Sequence, residues 1–389
     1  MAERAFITPK VLQWARESAR MTLETAAKKV GKTPEIIDEW ESGNSQPTIR
    51  QAESLAKAYR RPFAILFLPE IPRDFQPLQD FRQKTAIPLG TASIFIIREI
   101  RQKQAWISEI FEEYGEEQPP FVGKFSIQTK PITVAHDILE TLQIDPTNYS
   151  NDNPIKEWIE KAESKGIFIS RTSFIHSRLT LDKEEIQGFS IADKFAPFVF
   201  VNSDDWTAPQ LFTLVHEIAH IWINESGISN EIVAELKDRD KIHPVELFCN
   251  EVAANALMPI DIMNNLGINV FDNCHSVFTV AKKIGISSFA LLVRAFHLKL
   301  ISRDSFINLK KEAESNFKDF LKREEEKKAR LKEKKGGPNP YLLRLNKNSH
   351  LFTKFVLDAY RGGRIEPTQA SFLLNTQVNK FHRFEDYLY

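Results

Sequence analysis

The sequence is poor in cysteine, carries no excess of charge and lacks long apolar runs. Two cysteines in 389 residues cannot form a disulfide framework, which predicts a reduced, cytoplasmic protein. The formal net charge is zero, so any contact with nucleic acid requires a local basic patch. No apolar run reaches the roughly 18 residues that a membrane-spanning helix needs. The first ten residues lack the apolar core of a secretory signal, and we expect no membrane partner.

The pattern of helical and β-like segments divides the chain into five predicted regions. Residues 1–72 contain short helices, two of them joined by "GKT", and predict a helix-turn-helix domain. Residues 73–155 start in a proline-dense stretch and predict a helical connector. Residues 156–300 mix β-like and helical segments, 301–337 form a charged helical linker, and 338–389 form a small helical cap. The predicted class is α+β, with an N-terminal all-α domain, a domain with a small β-sheet, and a C-terminal helical region.

Two histidines lie four residues apart in the apolar segment "FTLVHEIAHIWI". This spacing places His216 and His220 on one helix face, one turn apart, so that both rings can reach one ion. Glu217 cannot easily bind the same ion, but it can hold a water molecule bound to it. The arrangement is HExxH, two metal ligands and a general base, and predicts Zn²⁺ or, in its place, Mn²⁺. Burying two histidines and a carboxylate on one helix face costs free energy unless these groups are paired. This disfavours the interpretation that they are packed core residues without a bound ion.

Spacing does not fix the third ligand that a catalytic zinc site requires. A second helical segment, "VELFCNEVAANALMP", offers Glu246, Cys249, Asn250 and Glu251, and His243 lies just before it. Glu246 and Asn250 share a face at i,i+4 spacing. Glu251 lies about 140° around the helix from Glu246, so the two carboxylates cannot point at one ion. The residues alone leave this choice open.

The two segments together resemble the ImmA/IrrE family of metallopeptidases. The resemblance is carried by "VNSDDWTAPQLFTLVHEIAHIWI" and, later, by the Glu-x-x-x-Asn-x-x-Ala pattern that ends near "LMP". It implies a zincin-like α+β peptidase domain with Glu217 as the catalytic base. The implied metal ligands are His216, His220 and Glu246.

One feature of the second segment departs from the family pattern. Glu251 directly follows Asn250, the residue that matches the asparagine of the family. The piece "NEVAA" also resembles the ligand helix of thermolysin-like peptidases, in which that glutamate binds zinc. Asn250 and Glu251 are therefore expected to support the ligands or, for Glu251, to replace Glu246.

The N-terminal region resembles the Cro/repressor-like (XRE) helix-turn-helix domains that precede such peptidases in a long-chain subgroup. The stretch "DFR" at 80–82 fits the connector of that subgroup. Family members are typically regulatory, cleave a repressor or antitoxin-like partner, and in some cases are encoded beside toxins. The resemblance implies a zinc-dependent regulatory endopeptidase. The alternative is a non-enzymatic DNA-binding regulator or toxin–antitoxin component with a structural or vestigial metal site, although a vestigial site has no need of Glu217.

The helix-turn-helix segment is unusual in its charge. Helices that read DNA normally present basic or amide side chains, whereas the third helix, "PEIIDEWES", is acidic. The acidic positions expected to be exposed are Glu35, Asp38, Glu39 and Glu41. The basic residues that could straddle a phosphate backbone are Lys28, Lys29 and Lys32. The pattern favours a protein-interaction or sensing module over a sequence-specific reader, and leaves DNA contact open through residues 1–72.

A peptidase site also needs an oxyanion stabiliser and a place for an extended substrate. The candidates for the first are His243, His176 and Arg178. The strand at 198–202 directly precedes the histidine helix, and we expect it to offer an edge to which a peptide adds.

Overall fold

A computed structural model describes residues 3–72, 78–81, 87–150, 153–176, 179–229, 242–332 and 339–388. The chain separates into two compact units. Unit 1 comprises Met1–Pro77, Ile87–Arg101 and Phe174–Thr180. Unit 2 comprises Leu78–Ala86, Gln102–Ser173 and Leu181–Tyr389.

Helices make up most of the described residues. In chain order they are α1 (Pro9–Ser18), α2 (Leu23–Val30), α3 (Pro34–Ser42), α4 (Ile49–Ala58), α5 (Thr91–Tyr114), α6 (Pro131–Leu142), α7 (Pro154–Ser164), α8 (Thr207–Trp222), α9 (Pro244–Leu257), α10 (Ile260–Asn264), α11 (Cys274–Ile284), α12 (Ser288–His297), α13 (Arg303–Lys332), α14 (Pro340–Asn348), α15 (His350–Arg361), α16 (Pro367–Leu374) and α17 (His382–Leu388). The division between the two units falls within α5.

The strands are short. In chain order they are β1 (Gln79–Asp80), β2 (Phe168–Thr172), β3 (Phe174–His176), β4 (Leu179–Thr180), β5 (Gly188–Ile191), β6 (Phe198–Asn202) and β7 (Gly227–Ser229). Strands β3 and β4 form a separate antiparallel pair in unit 1. The other five form one mixed sheet in unit 2, in the order β1-β7-β5-β6-β2. This combination of helical regions with a small mixed sheet confirms the predicted α+β class.

Two helices of unit 1, α2 and α4, begin at threonines whose side chains cap them. The Thr22 side chain accepts a hydrogen bond from Thr25 N at the start of α2, and Gly31 ends that helix in the left-handed conformation. Thr48 and Gln51 form a reciprocal capping box at the start of α4. Because each cap satisfies backbone groups that a helix end leaves unpaired, the starts of α2 and α4 are defined locally.

The expectation that Glu41 is exposed is wrong. Its side chain is buried, and both carboxylate oxygens accept hydrogen bonds of 2.8 Å from the Arg16 guanidinium. This paired geometry satisfies both charges, so Glu41 links α3 to α1 instead of facing solvent. The other acidic positions of α3, Glu35, Asp38 and Glu39, are exposed as expected.

The expectation that 198–202 lies at a sheet edge is also wrong. Strand β6 is internal, because β5 pairs with it antiparallel and β2 pairs with it parallel along all five residues. Every residue of β6 is accordingly buried. An extended substrate therefore has no free edge on this strand.

The core of unit 2 surrounds helix α8. Twelve of its sixteen residues are buried, since it packs on α9, α6 and α7 and on strands β5 and β6. Helix α11 joins the same core through Val277 and α12 joins it through Leu291, and both side chains are fully buried. Among the described residues, no single helix is long and apolar enough to cross a membrane. Helices α11 and α12 together have the length and apolar composition of such a helix, but they are bent by 100° relative to each other.

Gly285, which joins α11 to α12, allows this pair to approach α8. Its φ is +86°, and a Cβ atom there would lie 2.8 Å from Pro154 and 2.9 Å from Leu211. Gly166 has the same φ of +86°, but nothing lies within 4 Å of its would-be Cβ. The two glycines therefore share the backbone requirement and differ only in the space around them.

We expect Gly285→Ala to destabilise the protein more than Gly166→Ala. Both substitutions incur about 1–2 kcal/mol for a left-handed alanine, and overpacking adds about 1–3 kcal/mol at 285 alone. Urea unfolding of the two variants measures the difference. Equal losses would show that the α11–α12 turn has room to relax away from α8.

Candidate metal centre

Helix α8 brings two histidines to one buried face. His216 and His220 are both fully buried, and their Nε2 atoms lie 3.1 Å apart. The i,i+4 spacing produces this proximity within one helix turn. Neither ring reaches solvent, so whatever pairs with these nitrogens must come from the protein or from a bound ion.

Helix α9 supplies the third group of the site. Glu246 lies in its first turn, with Oε2 at 3.2 Å from His216 Nε2 and Oε1 at 3.2 Å from His220 Nε2. The three potential ligand atoms, one from each residue, lie within 4.8 Å of one another. Ser229 on β7 donates a hydrogen bond of 3.3 Å to Glu246 Oε1. Two imidazoles and one carboxylate are the donor set of a catalytic zinc site with an open fourth position.

Asn250 lies one turn after Glu246 and orients the first histidine. Its Oδ1 atom is 3.0 Å from His216 Nδ1. An amide oxygen only accepts hydrogen bonds, so a neutral His216 carries its proton on Nδ1 and presents the Nε2 lone pair toward Glu246. This is the arrangement in which a metal-binding histidine is held by a hydrogen bond on its other nitrogen.

The charges of the group balance each other. Burial alone would raise the pKa of Glu246, but the charges and hydrogen bonds of His216 and His220 outweigh it and lower that pKa. Burial likewise lowers the pKa of His216, yet Glu246 outweighs this and raises it. The site thus favours a positive charge between Glu246 and the two histidines. Either a proton or a divalent cation supplies such a charge.

Glu217 is the unpaired group of the site. It is fully buried, and neither carboxylate oxygen makes a hydrogen bond of normal geometry among the described residues. Burial is the main cause that raises its pKa, and the two histidines only partly offset this effect. The Ser190 hydroxyl of β5, which is also buried without such a bond, likewise acts to lower the pKa of Glu217. A Cβ atom on Gly188 of β5 would lie 2.8 Å from Glu217 Oε1, so the glycine leaves room for the carboxylate. An unpaired buried carboxylate is costly, which indicates that a water molecule or substrate belongs beside it.

The remaining candidate residues do not belong to the cluster of His216, His220 and Glu246. Glu251 is exposed, and its backbone oxygen accepts a hydrogen bond from the Asn255 side chain. Cys249 is buried, and burial raises the pKa of its thiol well above the usual value. His243 is exposed at the start of α9, where its Nδ1 accepts from Val245 N. His176 is exposed on β3 in unit 1, and Arg178 falls outside the described residues.

Three residues near the site were not predicted from the sequence. They are Phe81, whose ring stacks on His220, Ser229, which contacts Glu246, and Gly188, which makes space for Glu217. None belongs to a helical motif with fixed spacing to the histidines. Strand pairing brings Ser229 and Gly188 together, and a single sequence does not encode that register as a motif.

Two family models match the chain. Residues 162–296 match Peptidase M78, described as the IrrE N-terminal-like domain, and residues 12–66 match a helix-turn-helix model. The chain carries a Peptidase M78 domain behind a helix-turn-helix domain. These matches confirm the architecture that the sequence resemblance implied. A comparison with the curated proteins finds no match to the chain.

The buried group lies wholly inside the Peptidase M78 domain. His216, Glu217 and His220 come from α8, and Glu246 comes from α9, all within 162–296. Phe81, by contrast, comes from a segment that precedes the domain by many residues. The Peptidase M78 domain thus receives one aromatic contact at its histidines from outside its own matched range.

We expect Glu246→Ala to abolish retention of a divalent ion through dialysis, and Glu251→Ala to leave it intact. The first removes one of the three buried donor groups, whereas the second changes an exposed side chain on another face of α9. The loss at 246 should exceed the roughly 100-fold that removal of a supporting residue costs. Zinc content by atomic emission after dialysis measures this, and retention by Glu246→Ala would show that the carboxylate is not a ligand.

Proposed function

We propose that the Peptidase M78 domain is a zinc-dependent endopeptidase that cleaves a regulatory partner protein. The observation that carries the proposal is the unpaired, buried Glu217 beside the group formed by His216, His220 and Glu246. A structural metal site needs ligands, but it does not need an additional buried carboxylate without a partner. Such a group is what a reaction that moves a proton requires.

The residues of the site divide into ligands and a base. His216, His220 and Glu246 would hold Zn²⁺, or Mn²⁺ in its place, with Asn250 and Ser229 orienting two of them. When bound, the ion would supply polarisation of the scissile carbonyl and a lower pKa of the attacking water. The role of Glu217 would be to accept the proton of the attacking water on a carboxylate oxygen and to deliver it to the leaving amine. Its raised pKa, caused mainly by burial, makes it a stronger base than an exposed glutamate.

The class of substrate follows from the accompanying domain. Helix-turn-helix domains are typical of regulatory proteins. A peptidase joined to one is therefore expected to act on a regulatory protein, which supports a repressor or antitoxin-like substrate. The resemblance to ImmA/IrrE peptidases supports the same class. The competing function, a non-enzymatic regulator with a structural metal, leaves the unpaired Glu217 without a role.

We expect Glu217→Gln to keep the metal and to lose cleavage by at least about 100-fold, because glutamine preserves the shape and cannot accept the proton. Zinc content and cleavage of a partner protein encoded beside this chain, followed by mass spectrometry of the fragments, measure both. Wild-type protein serves as the positive control and His220→Ala as the metal-free control. Cleavage at the wild-type rate would refute the base assignment, and loss of the metal would make Glu217 structural.

For the helix-turn-helix domain we propose contact with DNA phosphates without readout of bases. Three of the four exposed positions of α3 are acidic, namely Glu35, Asp38 and Glu39. Their charge disfavours base contacts in the major groove. At the end of α2, Lys28 and Lys29 are exposed, and Lys32 follows in the turn. Point charges of this kind bind phosphates and carry no sequence information.

We expect binding to mixed-sequence duplex DNA to weaken steeply with salt, because each neutralised phosphate releases counterions. Replacing Lys28, Lys29 and Lys32 by alanine together should lower the slope of log affinity against log salt by about one per lysine. Lys57→Ala, an exposed lysine on α4, is the matched control. Fluorescence anisotropy over a salt series measures the slope, and absence of binding at low salt would favour a protein-interaction module.

A further inference from the structure

The two histidines of the metal centre are held in different ways. His216 has Asn250 on its Nδ1 atom at 3.0 Å. The Nδ1 atom of His220 is buried and has no hydrogen-bond partner among the described residues. Metal-binding histidines are usually oriented through that second nitrogen. Within the described residues, packing against the ring is the contact left on this side to orient His220.

Phe81 makes that contact. Its ring stacks on the His220 imidazole with the centroids 5.4 Å apart and an interplanar angle of 17°. The phenylalanine is only 4% exposed, so its ring is itself confined by packing. A confined ring that lies nearly parallel to the imidazole restricts rotation of His220 about its side-chain bonds.

The backbone around Phe81 is fixed by strand pairing. Strand β1 pairs in parallel with β7, and Phe81 N donates a hydrogen bond of 3.2 Å to Ile228 O. The neighbouring residue on β7 is Gly227, and a Cβ atom there would lie 2.1 Å from the Phe81 ring. The absence of a side chain at 227 is therefore what admits the ring to its position beside His220.

The same ring also reaches the start of α9. It lies against His243 with the centroids 5.0 Å apart and an angle of 38°. His243 is the N-cap residue of α9, and Glu246 lies in the first turn of that helix. Phe81 thus contacts the end of α8 that carries His220 and the end of α9 that carries Glu246.

We propose that Phe81 is a positioning residue of the metal centre, which holds the His220 ring by stacking as Asn250 holds His216 by a hydrogen bond. The proposal rests on the proposed binding of a metal ion by His216, His220 and Glu246. It assigns a role in the site to the segment 78–81, which lies outside both matched ranges, 12–66 and 162–296. A fragment that begins at 162 would therefore lack one part of its own metal centre.

The first experiment compares Phe81→Leu with Phe121→Leu in the full chain. Phe121 is also 4% exposed and stacks on Trp222 of the same helix α8, at 4.4 Å and 14°, so both variants lose one confined, stacked ring. Co²⁺ is bound in place of zinc, and its visible absorption bands report the ligand geometry. Release of Zn²⁺ to a chromogenic chelator gives the dissociation rate, and melting temperatures record the general loss of stability.

We expect Phe81→Leu to shift the Co²⁺ bands and to release Zn²⁺ about 10–100-fold faster, the range seen when a supporting contact of a ligand is removed. Phe121→Leu should lower the melting temperature and leave both readouts unchanged. Equal effects of the two variants, or wild-type bands and release in Phe81→Leu, would overturn the proposal. Wild-type protein that binds neither Co²⁺ nor Zn²⁺ would instead refute the proposed function on which it rests.

The second experiment displaces the Phe81 ring by changing Gly227, the residue that makes room for it. Gly227→Ala should displace the ring and accelerate Zn²⁺ release in the wild-type background, because its Cβ occupies the space of the ring. In a Phe81→Ala background the same substitution should add much less, since there is no ring to displace and only the approach of its Cβ to Gln79 O at 3.1 Å remains. Additive effects of the two substitutions would show that Gly227 acts on the metal centre independently of Phe81, against the proposal.

Discussion

The contact between α8 and α9 is the interaction on which the rest of unit 2 depends. It brings two imidazoles and the Glu246 carboxylate together among buried side chains. Burying ionisable groups is costly unless they neutralise one another or bind an ion. The group meets this condition through mutual contacts of 3.2 Å, and a divalent cation would balance the charges of the two neighbouring carboxylates, Glu246 and Glu217.

Two glycines on neighbouring strands give the site its shape. Gly188 on β5 leaves room for the Glu217 carboxylate, and Gly227 on β7 leaves room for the Phe81 ring. The strands are paired antiparallel, with Gly188 opposite Ser229 and Gly227 opposite Ser190. The sheet therefore does more than pack against α8. Its strand register determines where the Glu217 carboxylate and the Phe81 ring can lie.

Several features of the fold and of the site can be predicted from local sequence. The spacing of His216 and His220 fixes their common face, because an α-helix has 3.6 residues per turn. The capping residues of α2 and α4, and the acidic character of α3, are likewise local properties. Glu41 shows the limit of such reasoning, since its burial depends on Arg16 of another helix, which no pattern within α3 reveals.

The sequence by itself determined the helix-turn-helix region, the α+β class and the segment that carries the candidate metal centre, because each follows from periodicity or from spacing within one element. Spacing within α9 left open which of its carboxylates faces the histidines, the family resemblance implied Glu246, and the tertiary structure brings Glu246 to both rings. Helical periodicity places Glu246 and Glu251 on two faces, and packing on α8 buries the first and exposes the second. Strand order, which makes β6 internal, and the approach of Phe81 to His220 also depend on pairing between distant segments. Such pairing is set by the free energy of the whole core and not by any one stretch of the chain.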